Sequence, residues 1–357
     1  MWIQLFLNSV ALGSFYALIA LGFALIFGVT RAFNLAHGEL ILLGGYIAYL
    51  LHRGYGMPVI WTVPFSIASL VIASLVLHGF LRRIREPLEL NTLVVTFGLA
   101  LVLQNSMLYL FTADYRLIGH GSLFHLQPLD AYISDAQISM VLTSLLATLA
   151  VHFLMRKTFL GKALRATIQD REAARLAGIH VDNMSLVAFG LGGALIGLAG
   201  PLYAQMAYLH PFGGSEPTLL AIIVSIFAGV GRTRGLLLGG WLLGAMESTT
   251  IFFLGGSWRE LVTAVLLIAL AGSAHQAWSA NLFTTVSDMF PKKAVACLVG
   301  IGGMAGAVGG MSIAMLVGAI LQATGSYVPV FIMAGCTYLL ALLVIHLLAP
   351  RLEPARL

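Results

Sequence analysis

The sequence predicts an all-α fold, a polytopic bundle of about eleven membrane helices with the N-terminus outside and the C-terminus in the cytoplasm. Three observations carry that expectation. Of the 357 residues, 59% are hydrophobic and only 9% are charged, and the mean hydropathy is +0.96. The apolar residues fall into runs close to the roughly 20 residues that a spanning helix needs. The charged residues fall between those runs, with the basic ones unevenly shared between the two sides. A soluble chain of this size would need far more polar surface to cover itself.

The first run, 5–28, follows MWIQLFLNSV with no basic leader, so it reads as a span and not as a cleaved signal peptide. The second run, 36–52, and the seventh, 217–230, are short and glycine-rich, and are expected to be tilted, broken or re-entrant. The third is 59–81, the fourth 92–112 and the fifth 138–155. The sixth, 185–207, carries Gly190, Gly192, Gly193, Gly197 and Gly200. The eighth, 235–254, carries the small-xxx-small pairs Gly235/Gly239 and Gly240/Gly244, which let helices approach closely. The last three are 260–281, 294–321 and 327–349. Cys297 and Cys336 lie in apolar runs and read as small lipid-buried residues, with no disulfide framework.

Orientation follows from charge. Residues 156–182, RKTFLGKALRATIQDREAARLAGIHVD, hold nine of the 33 charged side chains. Taking this stretch as cytoplasmic and alternating outward leaves 16 of the 19 Lys and Arg inside, with Arg53, Arg116 and Arg259 outside. The net charge of +5 is therefore a positive-inside bias and does not imply nucleic acid. The longest external loop, 113–137, sets Arg116 against Asp114, Asp130 and Asp135 and is long enough to shape an entrance.

The charged stretch has helix grammar. Asp170 is a candidate N-cap, Glu172 follows in the first turn, Arg175 comes late and Gly178 suits the C′ position. A short helix over 171–177, led by an alanine-rich helical segment 162–169, is expected to lie on the cytoplasmic face and dock a partner. No P-loop, Gly-x-Ser-x-Gly or paired-cysteine metal motif is present, so an enzymatic role is not expected and the partner is expected to supply energy.

Polar residues at membrane depth are the remaining candidates. Asn34, His37 and Glu39 stand where the first span hands over to the second; they belong to a gate or pathway, or else Asn34 caps the next helix and Glu39 stabilises its first turn. One His beside one Glu is too few ligands for a metal. Gln104 and Asn105 interrupt the fourth span, and Thr92, Thr96 and Gln104 share a helical face that either lines a polar path or bonds helix to helix. Glu247, with no sequence-local partner, is either a pathway residue or half of a buried pair.

Four stretches resemble the LivH-type permeases of ABC importers for branched-chain amino acids and related small amides. They are 8–50, NSVALGSFYALIALGFALIFGVTRAFNLAHGELILLGGYIAYL; 88–105, LELNTLVVTFGLALVLQN; 161–179, GKALRATIQDREAARLAGI; and 227–248, FAGVGRTRGLLLGGWLLGAMES. They occur in family order over about 260 residues. The resemblance implies a permease domain over 1–270 in a bacterial cytoplasmic (inner) membrane, partnered by a second permease subunit, two ATP-binding subunits and an external substrate-binding protein. It implies no cofactor of the chain's own. It also makes 161–179 the loop that meets the ATPases, with Lys162, Arg165, Asp170, Arg171, Glu172 and Arg175 as coupling candidates, and Asn34, His37, Glu39, Gln104 and Asn105 as pathway or gate candidates.

From about residue 274 the chain departs from that pattern. AHQAWSANLFTTVSDMFPKKAVACLVGIGGMAGAVGGM resembles the last helices of a major facilitator transporter of the hexuronate/anion:cation symporter type, including its Asp288–Pro291–Lys292–Lys293 loop. A second domain over 271–357 is therefore expected to be partial. A major facilitator needs two facing halves, so His275, Gln276, Trp278 and Asn281 lack the half they would face. The alternatives to a working importer subunit are a partial secondary transporter of sugar acids and a non-functional gene fusion.

Overall fold

The computed structural model describes residues 2–84, 88–119, 123–126, 131–229 and 231–348. Its elements in chain order are α1 (Trp2–Thr30), α2 (His37–Tyr55), α3 (Val59–Leu81), α4 (Leu88–Phe111), β1 (Leu123–Leu126), β2 (Ala131–Ser134), α5 (Asp135–Lys157), α6 (Phe159–Gln169), α7 (Arg171–Leu176), α8 (Val181–Met206), α9 (Ser215–Ala228), α10 (Thr233–Leu254), α11 (Arg259–Met289), α12 (Lys292–Thr324) and α13 (Val328–Leu348). The chain divides into a unit of residues 1–267 and a unit of residues 268–357.

Each of the eleven apolar runs coincides with a helix, yet only nine helices among the described residues are long and apolar enough to cross a membrane. The two that fall short are α2 and α9, the runs read as short and glycine-rich. α9 has only 14 residues, and α2 carries His37, Glu39, His52 and Arg53 among its 19; both also start inside the bundle. The His37 Nε2–H at the first residue of α2 donates to the Ile19 carbonyl in the middle of α1, at 3.1 Å. After Thr30 the chain doubles back, with Arg31 at φ 58°, and α2 starts deep beside α1. α9 starts deep as well. Thr218 in its first turn accepts from the Gly38 N–H at 2.8 Å, so two helix N-termini meet inside the bundle.

The expectation of a purely α fold needs one correction. Within the 113–137 loop, β1 and β2 pair antiparallel, with Leu123 opposite Ser134 and Leu126 opposite Ala131. The aromatic and branched residues of LFHL and AYIS favour the pleated conformation. Ser134 then caps α5 with a reciprocal capping box to Gln137. The Gln4 side chain bonds the backbone of Tyr132, so this hairpin is fastened to the start of α1.

α1 is the central element of the first unit and is buried from Phe15 to Ile26. It can be central because its neighbours present glycine to it. A methyl built on Gly240 would lie 2.6 Å from Ala17 N and Gly13 O, and one on Gly244 would lie 2.5 Å from the Gly13 Cα. Gly235 and Gly239 of the same helix approach Ala228 of α9 instead, so the two glycine pairs serve two different neighbours. Gly200 of α8 similarly leaves no room above the backbone of Gly44 and Gly45 in α2. Overpacking at such a site costs about 1–3 kcal/mol per extra group. Gly244→Val is therefore expected to lower the melting temperature of the purified protein and its membrane abundance, whereas Gly272→Val, where a side chain meets open space, leaves both unchanged.

In the second unit, α12 begins after Pro291 and ends at Gly325 in the left-handed conformation, φ 63°. The rings of His275 and Trp278 on α11 both meet Tyr338 of α13; the His275 ring nitrogen hydrogen-bonds its hydroxyl, and the Trp278 ring stands edge-on at 5.7 Å. Cys297 and Cys336 are unpaired and exposed.

Candidate functional site

The first polar place is the junction of the deep starts of α2 and α9. Asn34 and Glu39 are 2% and 1% exposed and His37 is fully buried. Asn34 does not take the N-cap position of α2, which belongs to Ala36; its Oδ1 accepts from the Ala36 N–H at 3.1 Å and folds the approach to the helix instead. Gln104 of α4 reaches across and donates to Glu39 Oε1 at 2.9 Å. Thr96, two turns earlier on the same face, accepts from the Leu35 N–H at 3.0 Å and lies 3.0 Å from the Phe33 carbonyl. The polar face of α4 therefore bonds helix to loop. Asn105 is not part of it: exposed, it bonds back to the Leu101 carbonyl of its own helix at 2.8 Å.

Three buried atoms of this junction, Asn34 Nδ2, His37 Nδ1 and Glu39 Oε2, have no hydrogen-bond partner among the described residues. Leaving a buried polar group unmatched costs about 1–3 kcal/mol, so three together mark a place where water, a ligand or a second conformation completes the bonding. The packing is also tight. A methyl on Gly214 would lie 2.7 Å from the Glu39 carboxyl carbon, so the carboxylate presses directly on the backbone that opens α9.

The second place was not assembled by sequence reasoning. Glu247 of α10 is 2% exposed. It accepts hydrogen bonds from the Tyr16 hydroxyl of α1 and from Arg259 Nε at the start of α11. Arg259, expected in an external loop, turns inward and also pairs with Glu216 in the first turn of α9 at 2.6 Å. One guanidinium thus bridges two carboxylates. Glu247 lies behind it, while Glu216 and Arg259 remain partly open, at 47% and 41% side-chain exposure, onto a cavity of about 230 Å³. Phe15 and Tyr203, their rings stacked at 5.2 Å, form one wall. A lone acid inside a span calls for a cation, and the nearest candidate by chain order was Arg259; that signal was available.

The loop 112–119 is joined to the segment that links α8 and α9. Arg116 and Leu209 exchange backbone hydrogen bonds at 3.0 and 2.7 Å, and Ile118 N–H donates to the Ala204 carbonyl at 3.0 Å. A hydrogen bond to the Tyr49 hydroxyl raises the Arg116 pKa above its ordinary value, and Asp114 at 3.7 Å adds to it.

The third place is the charged segment. Thr158 caps α6, accepting from the Gly161 N–H at 3.0 Å. α6 buries Gly161, Leu164 and Thr167 and exposes Lys162 and Arg165. Asp170 is the N-cap of α7, its Oδ1 accepting from Glu172 N at 2.9 Å and Ala173 N at 3.0 Å. α7 closes with Gly178 at φ 81° and an Ile179 N–H to Ala174 carbonyl bond at 3.0 Å, the Schellman pattern. Glu172 and Arg175 are exposed, and Arg175 stands 4.0 Å from Asp182. Arg171 is turned differently: its Nη1 donates to the Thr30 carbonyl at the end of α1, at 3.0 Å. Two large apolar side chains that sequence reasoning passed over, Phe159 at 86% and Leu176 at 91% exposure, stand out from this same segment. Exposed apolar side chains set among charged ones are what a protein-docking surface presents.

A bundle of apolar helices with two helix starts and a charged cavity inside it, and a capped charged segment at 158–179, fits a multi-pass membrane permease. The chain belongs to the branched-chain amino acid transport system permease component family, which it matches over residues 5–271. Members of that family are transport subunits and not enzymes. The chain is 28% identical to the high-affinity branched-chain amino acid transport system permease protein LivH of Escherichia coli (strain K12), over 75% of this chain and 92% of that protein. It is 27% identical to the corresponding permease protein BraD of Pseudomonas aeruginosa over the same shares. The autoinducer 2 import system permease protein LsrC of Escherichia coli (strain K12 / DH10B) is 26% identical, over 71% of this chain and 74% of its own length.

Proposed function

We propose that this chain is the permease subunit of an ABC importer that carries branched-chain or related hydrophobic amino acids across a bacterial inner membrane. It works with a second permease subunit, two ATP-binding subunits and an external substrate-binding protein. The N-terminus is outside, and α6 and α7 face the cytoplasm. The observation that carries this reading is the projection at 158–179: two capped helices, positive charge at Lys162 and Arg165, and the exposed apolar side chains Phe159 and Leu176. In this reading Lys162, Arg165, Glu172 and Arg175 meet the ATPase, while Asp170 and Arg171 hold the surface in shape. The unmatched polar atoms of Asn34, His37 and Glu39, with Gln104, form the gate.

For the tail we propose the partial major-facilitator domain, without transport chemistry of its own. Two boundaries support a seam near residue 270: the family match ends at 271, and the second unit begins at 268.

The coupling surface is tested by replacing Lys162, Arg165, Glu172 and Arg175 together with alanine, and separately by Leu176→Glu. All five side chains are exposed, so insertion and melting temperature are expected to be unchanged. Co-purification with the co-expressed ATP-binding subunits is expected to be lost in both variants. Retention of the subunits by both would sink the assignment.

A further inference from the structure

The cavity beside Arg259 has a chemistry that the proposed function does not yet use. Its charged side holds Arg259 and Glu216, Tyr16 and Tyr203 also line it, and its apolar lining includes Leu12, Phe15, Met140, Met206, Leu220 and Ile251. At about 230 Å³ it is smaller than the roughly 300–1,000 Å³ pockets that take drug-sized ligands, so it suits a small metabolite. The charges are unequal: two carboxylates, Glu216 and Glu247, share one guanidinium. Glu247 is committed, being buried and bonded to both Tyr16 and Arg259. Glu216 is exchangeable, because its bond to Arg259 lies at the cavity wall.

A ligand that brings a carboxylate can replace Glu216 on the outer edge of Arg259, where planar paired recognition is strongest. The displaced Glu216 is then an unpaired anion, which an ammonium in the same ligand satisfies. The apolar lining takes what is left of the molecule. We propose that this cavity is a binding site for zwitterionic aliphatic α-amino acids, with Arg259 holding the carboxylate and Glu216 the ammonium. The inference rests on the importer reading above and extends it from a class of cargo to named side chains. Because Glu216 lies in the first turn of α9, exchanging its partner also pulls on the helix whose start packs against Glu39.

The test uses the whole importer complex in proteoliposomes, with leucine, leucinamide (no carboxylate) and 4-methyl-2-oxopentanoate (no ammonium) as probes. The unaltered complex is expected to take up leucine and to reject both analogues. Glu216→Gln keeps the shape but removes the anion; it is expected to reduce leucine uptake about 10-fold or more, the effect of one charge-assisted hydrogen bond, and to narrow the gap between leucine and the oxo acid. Ile251→Trp, at a partly exposed position of the lining, fills the apolar side and is expected to abolish uptake while the complex still assembles. Failure of the unaltered complex to transport leucine would overturn the proposed function together with this inference. Leucine uptake at the unaltered level in both variants would overturn this inference alone. Should either variant fail to assemble, leucine binding to the unaltered nucleotide-free complex decides: loss of binding when leucinamide or the oxo acid replaces leucine supports the site, and equal binding of all three overturns it.

Discussion

Replacing Arg259 with alanine is expected to destabilise the protein by about 2–3 kcal/mol: removing one member of a fully buried ion pair costs about 3–5 kcal/mol, and the 41% exposure of this guanidinium screens part of that. The loss arises on the partner left behind. Glu247 is 2% exposed and has two donors, Tyr16 and Arg259. Without the guanidinium it keeps one neutral donor for a buried negative charge, and its surroundings must open to let water reach it. Glu216 loses its partner at the same time. The protein is expected to reach the membrane poorly and to aggregate on detergent extraction. The double variant Arg259→Ala/Glu247→Gln removes the stranded charge and is expected to recover most of the melting temperature without recovering leucine uptake. Equal melting temperatures for the single variant and the unaltered protein would show that the pair carries no stability.

Gly38→Ala is expected to have the second largest effect. A methyl at this position overlaps the Gly214 carbonyl and lies 2.7 Å from both the Gly214 carbonyl carbon and Thr218 Oγ1. The obstacle is mostly backbone, which cannot rotate away. The starts of α2 and α9 would have to separate, breaking the bond from Gly38 N–H to Thr218 and loosening the seat of Glu39 against Gly214. Overpacking together with the lost hydrogen bond amounts to about 2–4 kcal/mol. The expected readouts are a lower melting temperature and loss of transport, with co-purification of the ATP-binding subunits retained, because α6 and α7 lie elsewhere. Transport at the unaltered rate would show that the two helix starts are free to part without consequence.

Local grammar made the charged segment readable in advance. Asp170 and Gly178 bracket one short helix whose first turn holds Glu172, and capping depends only on neighbours a few residues away. The positions of the apolar runs were readable for the same reason, since helix formation in lipid is a property of the run itself. The quartet of Tyr16, Glu216, Glu247 and Arg259 was not, because Tyr16 and Glu247 are 231 residues apart and meet only through tertiary packing. Arg259 misled by position: the turn at 255–258 sends it back toward Glu247, whereas charge counting places it with the external loops. Asn105 misled by adjacency. One residue along a helix turns the side chain by roughly 100°, so Gln104 reaches Glu39 while Asn105 bonds its own turn.

Because Arg171 grips the Thr30 carbonyl and Tyr16 grips Glu247, one helix is held at two points that do different jobs. α1 contains no proline, and the fourteen residue steps from Tyr16 to Thr30 span about 21 Å of it. A rod of that length transmits displacement in both directions. If the projection docks the ATP-binding subunits and the cavity binds cargo, as proposed, then by linkage any change that cavity filling makes in the affinity for those subunits is matched by an equal change that they make in affinity for the cargo. On that proposal, cargo release and nucleotide engagement are two readings of a single mechanical coordinate.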